Sequence, residues 1–354
     1  MKKSLIFEDK CVLITGGTGT LGKVLLKRIL QKSHGNPNKV IVFSRDEAKQ
    51  YFLRQSYQKL KNTDDGLYQQ FVSKVQFIIG DIRDFFSVQK AIKDCDIVIH
   101  AAAMKQVPSC EYFPFEAVQT NIIGAENIIR AINTTPNHVN LVLGISTDKA
   151  CNPVSAMGMT KALQEKLFIS ANIQNPKTKF ICVRYGNLLI SRGSVVPMFV
   201  DQIKNGGPVT VTSLEMTRFL LPVEKAVDAV IFALNNAQKG EIVVPDLPSA
   251  YLVDVAKSLI ADLDIELKIT EIRPGEKNNE FMISEQEAPR TYYRNSYFFI
   301  RPTLPELIEP MPEIQYLQET FHSANHPMDL IALSDFLIEN GIFVESDLFL
   351  ITEK

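Results

Sequence analysis

The spacing Gly16-x-x-Gly19-x-x-Gly22 constrains this chain more than any other feature. It follows a short apolar run, Lys10-Cys11-Val12-Leu13-Ile14-Thr15, and opens an amphipathic segment that continues to Ile29-Leu30. Glycines at these intervals let the chain turn tightly, let backbone approach a pyrophosphate and let helix pack on strand. The helix start then offers unpaired N–H groups and a partial positive charge to phosphates. Strand, turn and helix together predict a dinucleotide site at Gly16, Thr18, Gly19, Thr20, Leu21 and Gly22.

The alternation recurs. Apolar runs at Lys39–Phe43, Val75–Ile79, Asp96–His100, Leu141–Ile145 and Lys179–Arg184 read as further strands separated by helical patterns, among them Phe115–Ile132. This predicts an α/β fold, a doubly wound parallel sheet of Rossmann type. At 354 residues the chain exceeds what one core supports, so two closely joined domains are expected. Residues 1–185 form the dinucleotide-binding domain. Residues 186–354 supply mainly a smaller mixed α/β substrate-binding region and a C-terminal extension. A helix over Val223 to Leu234, within 222–238, is expected to pack back on the sheet, and Leu330–Ile338 reads as another. Gln50 to Ser73 reads as helix plus loop, and prolines and loops dominate from about Ser191 to 310.

Bulk properties exclude several classes. A net charge of -2 gives no electrostatic case for nucleic acid or an anionic membrane. No apolar run approaches the ~18 residues of a membrane span, and Glu8-Asp9-Lys10 interrupts anything resembling a secretory signal. Five scattered cysteines without a CxxC suggest small buried residues in a reducing cytoplasm, and no metal site is expected.

The chemistry concentrates after the fifth strand, where Ser146 to Pro153 places Asp148 beside Lys149 and a second amine, Lys161, follows. The carboxyl ends of strands are where open α/β sheets place their sites. An acid beside an amine suits removal of one proton and delivery of another. At the end of the second strand, Ser44-Arg45 favours NADP, since Arg accommodates a 2′-phosphate, while Asp46 and Glu47 keep NAD as the alternative. Asp81, followed by Ile82, either meets an adenine amino group or caps the next helix. Ala101-Ala102-Ala103 allows close passage of a cofactor or is tight packing. Arg192, Arg218 and Arg273 are loop arginines suited to a diphosphate or to the solvated surface.

These residues resemble the extended short-chain dehydrogenase/reductases, and more narrowly the UDP-N-acetylglucosamine 4,6-dehydratases. The resemblance is carried by Thr15–Gly22, Ser44–Glu47, Ala101–Val107, Thr120-Asn121, Ser146–Pro153, Arg184–Asn187, Ser191–Val196, Met216–Phe219 and Ile272–Lys277, in the family's order. It implies oxidation of the sugar at C4, loss of the C5 proton to Lys149, protonation of the departing C6 hydroxyl by Asp148 and hydride return to C6. It also implies a cofactor set with Ala101, Ala102, Lys105 and Lys161, the last holding the nicotinamide ribose. The implied substrate set is Lys105, Met157, Asn187, Arg192, Val195, Arg218, Arg273 and Glu276. A homo-oligomer and a UDP-sugar partner follow from the same resemblance. One departure stands out: the superfamily's usual Tyr four residues before Lys161 is here Met157. A thioether has no proton to lose, so Asp148, Thr147 or a water between them is expected to deprotonate the C4 hydroxyl. Relatives with Met there tend to retain the C5 configuration, and many are membrane-anchored, whereas this sequence shows no membrane segment. Lys149 needs a lowered pKa to act as a base, which desolvation near a positive nicotinamide would provide. A related epimerase or reductase, and a catalytically silent NADP-binding protein, are the competing readings.

Overall fold

A computed structural model describes residues 5–134, 139–191, 193–310, 314–345 and 348–351. Six parallel strands, β1 (Cys11–Thr15), β2 (Lys39–Ser44), β3 (Val75–Ile79), β4 (Ile97–His100), β5 (Leu141–Thr147) and β6 (Lys179–Tyr185), lie in the order β3-β2-β1-β4-β5-β6. The sheet is continued beyond β6 by Ile242–Pro245, Tyr297–Ile300 and Thr291–Arg294, giving nine strands. The two last run antiparallel to their neighbours. β1 and β4 are buried at every residue, as parallel strands covered by helices on both faces must be. The order reverses between β1 and β4, which opens a crevice at their carboxyl ends.

The helix over Thr20–Leu30 follows β1, and the expected Val223–Asn236 helix does pack back beside it. Arg28 joins the two, at 2.6 Å from both Glu224 and Asp228. Three strands of the main sheet come from 242–300, a stretch whose prolines point to loops. The remaining 186–342 elements build a second apolar core. Its helices Val195–Lys204, Leu252–Ile260 and Leu330–Glu339 bring Phe199, Leu259 and Leu333 together. A small sheet of Ser249–Tyr251, Thr217–Leu221 and Asn187–Leu188 lies between the two cores, and Phe281–Ile283 pairs with Phe321–His322.

Two local expectations change. The pattern over Phe115–Ile132 is not one α-helix: a π-helical turn, Val118–Ile123, separates Pro114–Ala117 from Gly124–Thr134. The polar stretch 50–73 belongs to two helices, Glu47–Lys59 and Asp65–Lys74, each started by an aspartate, Asp46 and Asp64, that accepts from a backbone N–H.

Candidate active site

The glycine turn has the form required of a phosphate cradle. Gly16 has φ +67°, and a Cβ there would stand 2.8 Å from the Ala102 nitrogen and 2.9 Å from the Ala101 carbonyl. Gly19 starts the Thr20–Leu30 helix with no side-chain cap and no acid in the first turn, so its leading N–H groups remain free for an anion. Leu21 and Gly22 are buried in that first turn. These features fit a dinucleotide pyrophosphate.

At the end of β2 the buried Ser44 hydroxyl meets Thr18 Oγ1 at 2.9 Å and also accepts from the Asp46 N–H. Arg45 is mostly exposed and stands 3.8 Å from Asp81. Asp81 does not cap the following helix, because Asp84 does. Asp81 instead grips Arg83 with both carboxylate oxygens at 2.8–3.1 Å, and these arginines hold its pKa below the ordinary value against the effect of burial. Ile82 is buried.

β5 delivers the acid and the amine. It ends in a tight turn, Asp148–Ala150, against which the long helix Ala156–Gln174 is laid. Gly158 makes the contact possible, since a Cβ there would lie 2.2 Å from the Lys149 carbonyl oxygen. Lys149 Nζ stands 3.0 Å from Asp148 Oδ1, 3.1 Å from Asn187 Oδ1 and 3.1 Å from Glu280 Oε1. Thr147 donates to Asp148 Oδ1 at 2.8 Å. Asp148 is wholly buried, and its Oδ2 has no hydrogen-bond partner among the described residues. Burial pushes the Asp148 pKa up, more than Lys149 and Thr147 pull it down. Burial would lower the Lys149 pKa, but Asp148 and Glu280 outweigh it and the direction is upward. The lowered pKa expected for Lys149 is therefore not found, because two carboxylates flank the amine.

Lys161 is different. Its Nζ donates to the Ile145 carbonyl at 2.5 Å and to Gln164 Oε1 at 2.7 Å, and burial lowers its pKa to about 8. Beside it His100 is fully buried and held neutral, its pKa pushed down to about 3 by burial and the Lys161 charge.

The other expected residues spread around this centre. Lys105 reaches Ser191 at 3.4 Å, and burial lowers its pKa. Arg218 is buried and donates to the Thr217 and Asn278 carbonyls, with its Nε 3.9 Å from Glu280. Arg273 and Glu276 share a turn in which Glu276 accepts from the Arg273 N–H, and the exposed Arg273 side chain does not join the Lys149 group. Val195 starts the Val195–Lys204 helix. Met157 lies in a small buried apolar cluster with Cys110 and Ala117. Arg192 lies outside the described residues.

The family model described as "Polysaccharide biosynthesis protein" matches residues 12–302. The chain belongs to that family. A relative named UDP-glucose 4-epimerase, from Rickettsia bellii, is 43% identical over 300 residues, covering 83% of this chain and 84% of its own. An uncharacterized membrane protein of Methanocaldococcus jannaschii is 40% identical over 310 residues, 84% of this chain and 88% of its own. Among the described residues of this family member, no helix is long and apolar enough to cross a membrane. The structure of Pen from Bacillus thuringiensis superposes with a TM-score of 0.84 at 33% identity, over 94% of this chain and 98% of that one. A dTDP-glucose 4,6-dehydratase from Streptomyces venezuelae with NAD bound shares the fold at a TM-score of 0.64 and 18% identity, over 75% and 86% of the chains. The fold is thus that of the extended short-chain dehydrogenase/reductases.

Glu280 is the site residue that sequence reasoning missed. Its only signal is a lone acid directly before an apolar strand, Phe281–Ile283.

Proposed function

We propose that this protein is a nucleotide-sugar 4,6-dehydratase that converts UDP-N-acetylglucosamine into a UDP-4-keto-6-deoxy-N-acetylhexosamine with retention at C5, using NADP, with NAD as the alternative. The reading rests on one observation: a wholly buried carboxyl with a raised pKa touches a lysine amine at 3.0 Å. A nicotinamide supplies, when bound, a hydride acceptor for C4 and a donor for C6. Gly16–Gly22, Ser44, Arg45, Ala101, Ala102 and Lys161 would hold that cofactor.

The chain's own residues do the proton work. A ketone at C4 acidifies the C5 proton, so a neutral Lys149 amine can remove it. Passing the Lys149 proton to Asp148 Oδ1 creates the neutral amine and the protonated carboxyl together. Desolvation of both charges lets the neutral pair compete with the ion pair. Asp148 then gives its proton to the C6 hydroxyl, which departs as water, and Asn187 keeps the amine oriented. Asp148 is by then protonated, so the C4 hydroxyl loses its proton by way of Thr147 or a water to solvent, because Met157 has none to exchange, and Lys149 finally returns its proton to C5.

Incubation with UDP-N-acetylglucosamine and no added reductant is expected to give a product lighter by one water. Mass spectrometry reads it, and unchanged substrate overturns the reading. In D2O the product should carry deuterium at C5 in the D-configuration, and an L-hexose refutes retention. Pure NAD released on denaturation refutes the Arg45 argument.

A second reading, 4-epimerisation, is favoured by the names of the Rickettsia relatives. It requires no acid for a leaving hydroxyl, and its product keeps the mass of the substrate. The same spectrum separates the two.

A further inference from the structure

The Lys149 amine touches two carboxylates, and the elimination uses only one of them. Glu280 is 2% exposed although it ends a loop, directly before the strand Phe281–Ile283. Its Oε1 lies 3.1 Å from Lys149 and 3.9 Å from Arg218, and its Oε2 lies 3.5 Å from Lys277. Among the described residues Asp148, by contrast, meets one cation, Lys149. The backbone around Glu280 is fixed from far along the chain. Its N–H donates to Ser323 Oγ at 3.0 Å, its carbonyl accepts from the Ser323 N–H at 2.8 Å, and Ser323 Oγ meets Thr217 Oγ1 at 2.6 Å.

We infer that Glu280 is a positioning residue: clasped by Lys149, Arg218 and Lys277 and pinned by Ser323, it carries the site's negative charge so that Asp148 remains the carboxyl holding a proton. The inference rests on the dehydratase reading of this site. Two carboxylates facing one amine cannot play the same part, and unequal surroundings divide them into an ionised and a protonated member. Burial acts against ionisation of both. Three cations overcome it at Glu280, and one does not at Asp148. The charge on Glu280 also raises the pKa of Asp148 directly. The groups facing Lys149 are Asp148 on its own turn, Asn187, Glu280 and, with opposite effect, Arg218. The strand Phe321–His322 and Ser323 after it thereby acquire a task at the catalytic centre.

The sign of the effect is fixed. A nearby negative charge favours the protonated form of both Asp148 and Lys149, so its removal lowers both apparent pKa values. In the holoenzyme, Glu280→Gln should move the whole bell-shaped pH profile of kcat to lower pH, by about one unit. Ser323→Ala should move it the same way by less. A residue that only supports the fold would reduce kcat without moving the profile. A second readout needs no turnover. The pH at which Lys149 becomes half-reactive towards acetic anhydride, followed on the peptide containing it, should fall in both variants. If wild-type protein yields no dehydrated sugar yet the labelling shifts, the dehydratase reading fails and the charge assignment stands. If the sugar is dehydrated but neither profile nor labelling moves, the inference is overturned. Should Glu280→Gln not fold, Ser323→Ala decides by the same two measurements.

Discussion

Two cations, the buried Arg184 and the half-buried Lys149, each meet two carboxylates, and their surroundings differ in one further respect. Arg184 uses all five of its N–H donors: Nε and Nη2 on Glu165, Nη1 and Nη2 on Glu287, and Nη1 on the Met282 carbonyl, all within 2.7–3.0 Å. Ser146 donates to Glu165, and the Ser284 N–H and hydroxyl to Glu287. Burial works against the Glu287 charge, yet Arg184 and these donors hold its pKa at about 2. Around Lys149 the pairing is incomplete: among the described residues, Asp148 Oδ2 and Glu280 Oε2 are buried without hydrogen-bond partners, although Lys277 stands 3.5 Å from the latter. A closed network fastens β6 to the 282–287 segment and has no capacity left for a substrate. An open one retains acceptors that a substrate hydroxyl can fill. Lys161 is a third case, a buried amine held by neutral acceptors alone.

The largest expected effect is on the open side. Asp148→Asn should lower kcat by ~10²–10⁴, the range of a lost general acid, with Tm unchanged or raised and the cofactor retained. Steady-state kinetics beside calorimetry checks it, and a fall in Tm with normal turnover would show the two clusters to be alike. Next comes the closed side. Arg184→Met leaves two carboxylates buried without their cation and should cost ~3–5 kcal/mol of stability, measured by denaturant unfolding. The deficit should shrink on acidification, because both stranded carboxyls can then take up protons.

The smallest effect concerns Lys161. Its folded pKa of about 8 lies below the ordinary 10.5, so the unfolded chain binds the proton more readily between those values. Stability of the cofactor-free protein therefore rises with pH from about 8 to 10.5, by ~3 kcal/mol from this residue. Lys161→Met should flatten that part of the Tm–pH curve, and an unchanged slope would refute the assignment.

The parts legible in the sequence are those whose causes are local. The glycine turn shows itself because Gly16 must take a positive φ against Ala101 and Ala102, and no other residue type does so freely. The six parallel strands show themselves as continuous apolar runs because helices cover both faces. Asp148 and Lys149 are adjacent in the chain and follow a strand, so their partnership could be read directly. Glu280 could not be, since its burial depends on Ser323, 43 residues onward. The depth of Arg218 likewise comes from the small sheet and from Asn278. The hairpin of Thr291–Arg294 and Tyr297–Ile300 turns through Asn295 and Ser296, which both have positive φ without a glycine to announce it. Of the two readings of Asp81, the helix cap falls away because Asp84, three positions on, is an equally good cap in isolation and Arg83 claims Asp81.

The π-helical turn at Val118–Ile123 has a consequence for the lengths this chain can tolerate. Within it Asn121 is fully buried, binding both the N–H and the carbonyl of Met104 and the Thr160 hydroxyl, so it clamps the segment that leads to Lys105. A π turn holds one residue more than the regular helix would. Removing that residue would swing everything downstream through ~100°, taking Ile128 and Ile129 out of the core in which they are now buried. Surface loops elsewhere can lengthen or shorten over generations at small energetic penalty, but here the residue count itself is locked.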